Sequence, residues 1–437
     1  MGCVSYNKIE VLFNIAVFFL RNLPFKLPTQ ERRRCGENGN LKQRSLDLLV
    51  RHWTSLETEK NMKIKSITTT PLLVPYKTPF HWARGVIEGA DVLLVEVETD
   101  TGIRGFGECI AAPDGMALKA LVDQAGALLI GRNPFHTRAL MHEAYTTLFR
   151  AQAVCSAPRF AGQVLAGLEM ALWDVLGKST GQPVHALLGG AVHDQIGYHG
   201  FAMGATPDEV ATDAKSFADR GYEVIYLKAG FGMARDLATV RAVRKAIGPD
   251  PRLRIDPNES WSLLETKQMI ARLAPYDLEF IEQPTQCESI SALAQVRVAS
   301  PVGIAADQAV FTPDEAYALL QAQAADLIVI GPHECGGLAR MTDIARLAQL
   351  AGVNICIHGL YETGITTCAA HMTAAACSNL DDGNQHMLKF LEWDIVNAPD
   401  LMPEAGHMPV LSGPGLGFEL NTDNVARAAA LYQARRG

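Results

Sequence analysis

The stretches LRIDPN (Leu253–Asn258), FIEQP (Phe280–Pro284) and VGIAADQ (Val302–Gln308) decide the fold. Each is an apolar run too short for a helix, and the runs end on Asp256, Glu282 and Asp307. The three acids are spaced 26 and 25 residues apart, close to one strand-plus-helix unit each. Working outward, similar runs recur: IGYHGFAM (Ile196–Met203) and VIYLKAG (Val224–Gly230) upstream, and DLIVIGP (Asp326–Pro332), NICIHG (Asn354–Gly359) and FLEWDI (Phe390–Ile395) downstream. Between them lie helix-like stretches such as DLATVRAVRKAIG (Asp236–Gly248) and LARMTDIARLAQLAG (Leu338–Gly352). Eight strand candidates alternating with helices predict an α/β fold, a (β/α)₈ or TIM-type barrel.

Chemistry in such barrels sits at the carboxyl ends of the strands, so three successive strands aim one carboxylate each at one spot. Packed acids repel one another and are costly to desolvate unpaired. A hard divalent cation resolves this, and all-oxygen ligation with open positions suits Mg²⁺. Any one such Asp would more often be a cap or a surface acid; three in register point to a metal. VIYLKAG places Lys228 one unit before Asp256. A lysine beside a metal loses its proton more readily, which makes Lys228 a candidate base, against the common alternative of a structural ion pair. NICIHG ends on His358, a candidate acid or base that alone would read as a satisfied core residue. FLEWDI places Glu392 where it would hydrogen-bond a substrate carboxylate.

The chain upstream reads differently. VLLVEVETD (Val92–Asp100) and its neighbours alternate as antiparallel strands, and LAGLEMALWDVLGKSTG (Leu165–Gly181) has helical periodicity. Strands followed by helices predict an α+β capping domain over residues 62–188, ahead of a barrel over 189–400 and a tail, 401–437, that returns to the cap. Residues 1–61 look foreign to this pattern. VLFNIAVFFL (Val11–Leu20) is too short to span a bilayer, and Arg21 and Arg32–Arg34 follow it instead of a small-residue cleavage site. The expectation is an upstream extension outside the fold, with the functional chain starting at Met62; the rival is a targeting tail.

A net charge of −8 argues against a nucleic-acid partner. Nine cysteines without a CxxC pair read as free thiols in a reducing compartment, hence a cytoplasmic protein without a cysteine-built zinc site.

These residues resemble the enolase superfamily, in its mandelate racemase/muconate lactonizing enzyme branch, from Met62 to about Phe418. The carriers are GFGE (Gly105–Glu108), ALWDVLGK (Ala171–Lys178), PVHALLGG (Pro183–Gly190), LKAG, RIDPNESW, FIEQP, AADQ, CGGL (Cys335–Leu338) and GPGLGFEL (Gly413–Leu420). The resemblance implies an α+β cap over a modified barrel and one Mg²⁺ per subunit on Asp256, Glu282 and Asp307. It implies a small carboxylate substrate that loses its α-proton to form an enediolate. Lys228 and His358 would be the acid/base pair on opposite faces, with Asn258 supporting the metal. A cap loop around Pro79–Gly85 would close the site, with His81, Trp82 or Arg84 near the distal part of the substrate. Relatives are often dimers or octamers, so a homo-oligomer is expected.

Two positions depart from the family pattern. The usual Lys-x-Lys reads Tyr226-Leu227-Lys228, so a neutral phenol stands where a lysine would help hold the substrate carboxylate. In IGPHECGG, the position five before the first glycine of the pair is Gly331, where relatives carry a lysine or an aspartate. His358 therefore lacks its usual carboxylate partner unless His333 or Glu334 replaces it. The expected activity is dehydration of a sugar acid or a cycloisomerisation. The alternatives are a racemase or epimerase of a small carboxylic acid, a barrel that only binds, and a Schiff-base aldolase using Lys228, which needs no metal.

Overall fold

The computed structural model describes residues 62–112, 114–150, 157–398 and 401–436; the extension reading falls on residues outside this set. The alternating segment that opens the described chain forms an antiparallel meander: β1 (Ile64–Trp82), β2 (Gly85–Thr99) and β3 (Arg104–Ile110). β1 and β2 run on past the sheet as a hairpin in which Trp82 pairs with Gly85 across a turn at Ala83-Arg84. Three helices follow: α1 (Gly115–Ala127), α2 (Thr137–Tyr145) and α3 (Pro158–Thr180). The Asp114 carboxylate caps α1 by accepting from the N–H groups of Met116 and Ala117, and α3 stops at Gly181, whose φ of +65° suits a left-handed C-cap. Leu93, Val95 and Val97 of β2 pack against Leu165, Leu168 and Leu172 of α3, which is the core of the cap.

A short α4 (Val184–Leu187) leads to the barrel. Here IGYHGFAM is two strands, not the single one expected. β4 (Gln195–Gly197) pairs with β13 (His407–Pro409) in the tail, and β5 (Gly200–Ala202) opens the barrel. The barrel then runs through β6 (Val224–Lys228), β7 (Arg252–Asp256), β8 (Leu278–Glu282), β9 (Gly303–Ala306), β10 (Leu327–Ile330) and β11 (Asn354–Ile357), seven parallel strands in sequence order. The helices between them are α5 (Pro207–Asp219), α6 (Met233–Ile247), α7 (Leu263–Leu273), α8 (Ile290–Ala299), α9 (Pro313–Gln321), α10 (Pro332–Cys335), α11 (Leu338–Leu350) and α12 (Gly364–Ala375). Thr206, Ser262 and Thr312 cap α5, α7 and α9, with a full capping box at Ser262 and Glu265.

FLEWDI is not the eighth strand. That place is taken by the polar segment around Leu380–Gln385, bridged to Ile355 on one side and Tyr198 on the other. Asn384 does with its side chain what a regular strand does with its backbone. Its Oδ1 accepts from Ile357 N at 2.7 Å and its Nδ2 donates to Gly197 O at 2.8 Å. From below, the buried Arg254 of β7 lies over the Phe280 ring and donates to the carbonyls of Asp382 and Gly383, both at 2.8 Å. The barrel closes at this seam through isolated backbone bonds, among them Asn384 N to Gly197 O at 2.9 Å, His199 N to Asn384 O at 3.0 Å and Gln385 N to Ile357 O at 3.1 Å, with these side chains reinforcing them.

Carboxylates also join cap to barrel. Glu169 of α3 accepts from Leu338 N (2.7 Å), Ala339 N (3.1 Å) and Trp173 Nε1 (2.7 Å), so a cap residue satisfies the open N–H groups at the start of α11. Gly337 permits the approach: its φ is +109°, and a Cβ there would stand 2.2 Å from Glu169 Oε2. Glu108 of β3 does the same for α12, accepting from Thr363 N, Thr363 Oγ1 and Thr366 N. Asp174 of α3 receives Phe106 N and Leu416 N, tying in the tail, which ends in α13 (Thr422–Arg436) against β1. Among the described residues Cys109, Cys287, Cys335, Cys356, Cys368 and Cys377 are free thiols, and no helix is long and apolar enough to cross a membrane.

Glu169→Ala should leave two helix N–H groups and an indole N–H buried without acceptors. A loss of about 3 kcal/mol in unfolding free energy is expected, read as a lower thermal midpoint; an unchanged midpoint would show that this seam does not hold the two parts together.

Candidate active site

The strand ends meet as the sequence implies. Lys228, Asp256 and Glu282 are the last residues of β6, β7 and β8, Asp307 follows β9 directly and His358 follows β11. All three acids are buried, Asp256 and Asp307 completely. Asp256 Oδ1 accepts from Asn258 N at 2.7 Å, across a turn in which Asn258 has φ +46°. Its Oδ2 accepts from Lys228 Nζ at 2.5 Å and from Tyr226 OH at 2.7 Å. The same phenol stands 3.1 Å from Glu282 Oε1, so one hydroxyl spans two of the acids. Gln283 Oε1 accepts from Asp307 N (3.0 Å) and Ala309 N (3.1 Å), which fixes the end of β9 against that of β8.

The electrostatics show what this cluster lacks. Neither oxygen of Asp307 accepts a hydrogen bond in the structure. Burial pushes Glu282 up to about 8 and Asp307 well above the usual carboxylate range, and their acidic neighbours push the same way. Four buried carboxylates, Asp256, Glu282, Asp307 and Glu334, face Lys228 and His358. Even with both of these charged, two negative charges stay uncompensated. Oxygen donors with a deficit of two charges fit Mg²⁺.

His358 does have a carboxylate partner. Its Nδ1 is 2.8 Å from Glu334 Oε1 and 3.6 Å from Asp307 Oδ1. Burial alone would lower His358, but Asp307 and Glu334 overcome it and hold the imidazole up at about 10. Burial works to raise Glu334, yet His358 and His333 keep it below its ordinary value. His333 lies behind the pair, its ring centre 5.9 Å from that of His358, and burial depresses it to about 4.

Lys228, His358, Asn258 and Glu334 line a cavity of about 270 Å³. Its other walls are Phe311, Tyr361 and Met387 from the barrel and Phe80, Trp82 and Arg84 from the β1–β2 hairpin. Arg84 closes the rim through a 2.8 Å ion pair with Glu259. A larger groove of about 1080 Å³, lined by Lys178, Val410 and Phe418 among others, contains neither Lys228 nor His358 nor Glu334, so the chemistry belongs to the smaller cavity.

Several of the expected substrate contacts are placed differently. Tyr226 is almost fully buried, stacked on His199 at 4.4 Å and held edge-on by Phe201; it touches the acids rather than the cavity. His81 is exposed and outside the lining, because it alternates with Phe80 and Trp82 on the hairpin. Glu392 is also exposed and outside the lining, because its segment is not a barrel strand; its backbone N–H bonds Pro75 O. Trp82, Arg84 and Asn258 do line the cavity. Gln308, Tyr361 and Gln385 join them unforeseen; only Gln308 had a signal, its place beside Asp307 in AADQ.

Comparison with known proteins agrees with this architecture. Residues 64–189 match the mandelate racemase/muconate lactonizing enzyme N-terminal domain, and residues 209–424 match the enolase C-terminal domain-like family. The chain is 32% identical to D-galactarolactone cycloisomerase of Agrobacterium fabrum over 377 residues, covering 83% of this chain and 97% of that one. It is 31% identical to muconate cycloisomerase 1 of Rhodococcus opacus, covering 84% and 98%. A crystal structure of the dipeptide epimerase from Enterococcus faecalis, complexed with Mg and L-Leu-L-Tyr, superposes with a TM-score of 0.74 at 29% identity, covering 82% of this chain and 99% of that one. With both domains matched in order and the strand-end acid cluster inside the second, the chain belongs to the mandelate racemase/muconate lactonizing enzyme family of the enolase superfamily.

Proposed function

We propose that this chain is a Mg²⁺-dependent enzyme that removes the proton from the carbon next to a small substrate's carboxylate, acting as a sugar-acid dehydratase or a cycloisomerase. The observation that carries the reading is one cavity lined by Lys228 and His358, each of which contacts the charge-deficient acid cluster: Lys228 meets Asp256, and His358 meets Glu334 and Asp307. Asp256, Glu282 and Asp307 would hold the metal, with Tyr226 and Asn258 orienting Asp256. When bound, Mg²⁺ supplies a Lewis acid for the substrate carboxylate.

The chain's own groups do the rest. Lys228 Nζ takes the α-proton, and the electron pair moves into the carboxylate as an enediolate. His358, kept protonated by Asp307 and Glu334, donates to the oxygen that departs from the β-carbon: water leaves in a dehydration, and a ring oxygen is released in a cycloisomerisation run toward opening. The hairpin carrying Phe80 and Trp82 covers the reacting carbons and keeps bulk water away. A second reading, racemisation or epimerisation of a small α-substituted acid, is favoured by the aromatic wall of Phe80, Trp82 and Phe311; there His358 would return a proton to the α-carbon from the other face.

Mg²⁺ should raise the thermal midpoint, by an amount equivalent to about 2.7 kcal/mol at a hundredfold excess over Kd. Asp307→Asn replaces a buried carboxyl that is costly to ionise and accepts no hydrogen bond, so the metal-free variant should be at least as stable as wild type while the Mg²⁺ response disappears. A wild type indifferent to Mg²⁺, with no binding by calorimetry, would leave a barrel that only binds.

The reaction is tested by incubating the chain with Mg²⁺ and a library of sugar acids, lactones and α-substituted acids in D₂O, with and without EDTA. Metal-dependent 2-keto acid formation is expected, and Lys228→Met or His358→Asn should lower kcat about 10²–10⁴-fold. Deuterium incorporation with inversion and no loss of water would move the assignment to a racemase.

A further inference from the structure

Gly331 ends the sixth barrel strand without a side chain, and the space above it is filled. A Cβ built there would stand 2.3 Å from His333 Cε1, 2.7 Å from His333 Nδ1 and 2.9 Å from the His358 carbonyl. The imidazole of His333 thus occupies the volume that any side chain at Gly331 would enter. It rides on α10, whose first turn is anchored on Gly331: the carbonyl of Gly331 accepts from Glu334 N and Cys335 N at 3.2 Å each and from Cys335 Sγ at 3.1 Å. The cap presses on the same short helix from outside, where Gly162 of α3 lets the backbone pass so closely that a Cβ would meet Glu334 O at 3.0 Å. α10 is held on both sides, and it delivers Glu334 Oε1 to His358 Nδ1 at 2.8 Å.

We infer that Glu334 is the positioning residue for His358, and that Gly331 and His333 form the steric seat that puts it there. The partner carboxylate of His358 has moved from the strand to the helix that follows it. Glu334 accepts the Nδ1–H of His358, which fixes the ring plane and turns Nε2 toward the cavity that both residues line. Glu334 is itself steered: its Oε1 is 3.8 Å from His333 Nε2, and both side chains are almost fully buried. His333 has no hydrogen-bond partner on either ring nitrogen, so its contribution here is shape, filling the space over Gly331. The inference rests on the reading of His358 as an acid in the proposed reaction.

The experiment uses the full chain with Mg²⁺, labelled with [¹⁵N]histidine and observed by magic-angle-spinning NMR. An imidazole N–H donated to a buried carboxylate gives a proton resonance downfield of the amide envelope. Wild type should show one that His358→Asn removes. Glu334→Gln should move it upfield, because the acceptor is no longer charged, with the thermal midpoint measured alongside to confirm folding. Gly331→Ala should have the same effect by displacing His333 and α10 and by crowding the His358 carbonyl, and adding His333→Ala, which removes the closest clash, should bring the resonance part of the way back. A signal that stays in place in Glu334→Gln would overturn the positioning role; one that stays in place in Gly331→Ala, or is not even partly recovered in the double variant, would overturn the steric seat. On any substrate found in the D₂O library, Glu334→Gln should lower kcat about 10–100-fold with KM little changed. If wild type turns over no carboxylate while the resonance behaves as expected, the proposed reaction fails and the positioning of His358 stands.

Discussion

Four carboxylates buried in one place are the constraint around which this molecule is arranged. Asp256, Glu282, Asp307 and Glu334 have been withdrawn from water into a barrel mouth where each raises the cost of ionising the next. Such a cluster persists only if the surroundings supply positive charge and hydrogen-bond donors from fixed positions. Lys228 and Tyr226 serve Asp256, Tyr226 also reaches Glu282, and His358 serves Glu334 while facing Asp307. The donors come from strand ends and from one helix turn, elements that the barrel holds rigidly. The site's remaining deficit of charge is what makes it a site: a cluster fully paired by its own side chains would have no call for a cation.

The cap is attached by the same kind of interaction used in the opposite sense. Glu108 and Glu169 bring negative charge to the N-termini of α12 and α11, where backbone N–H groups would otherwise lack acceptors. α10 runs directly into α11, and His358 lies between α11 and α12, so the contacts that fasten the cap also brace the site. The hairpin of β1 and β2 extends from that fastened sheet to cover the cavity, with Arg84 pinned to Glu259 on the barrel side. Phe80 of the same hairpin is buried edge-on against Phe201 and Phe390, so the cover is seated in the aromatic cluster beneath it as well as pinned at its rim.

Which parts were legible in the sequence follows from how each is specified. Asp256, Glu282 and Asp307 could be read because a strand end after a constant β/α spacing fixes a side chain's place from sequence alone. Lys228 and His358 followed for the same reason. The eighth strand was misplaced at FLEWDI because apolar alternation marks a strand, whereas the segment that closes the barrel is polar and pairs by isolated backbone bridges helped by the side chain of Asn384. Tyr226 was read as a substrate contact because it stands at the first position of the Lys-x-Lys pattern; residues two apart share a face of a strand, but the depth of each on that face is set by His199 and Phe201, which no local pattern reveals. The Glu334 carboxylate could be weighed but not assigned, since its reach depends on where a four-residue helix is seated.

The two departures from the family pattern act together on this charge balance. A lysine at position 226 would bring a cation to Asp256 and Glu282; Tyr226 brings only a dipole. An acid at position 331 would sit at the strand end; Glu334 restores that charge one helical turn later, beside His358. The first change removes positive charge from the Lys228 side, and the second keeps negative charge on the His358 side. Lys228 is thereby left as the one amine beside Asp256, while His358 stands between two carboxylates that both favour its protonated form, Asp307 among the acids proposed to hold the metal and Glu334 outside them. The asymmetry separates the roles: a base on one wall and a proton donor on the other suit expulsion of a leaving group more than the two-way exchange of a racemase, in which each wall must both take and give a proton.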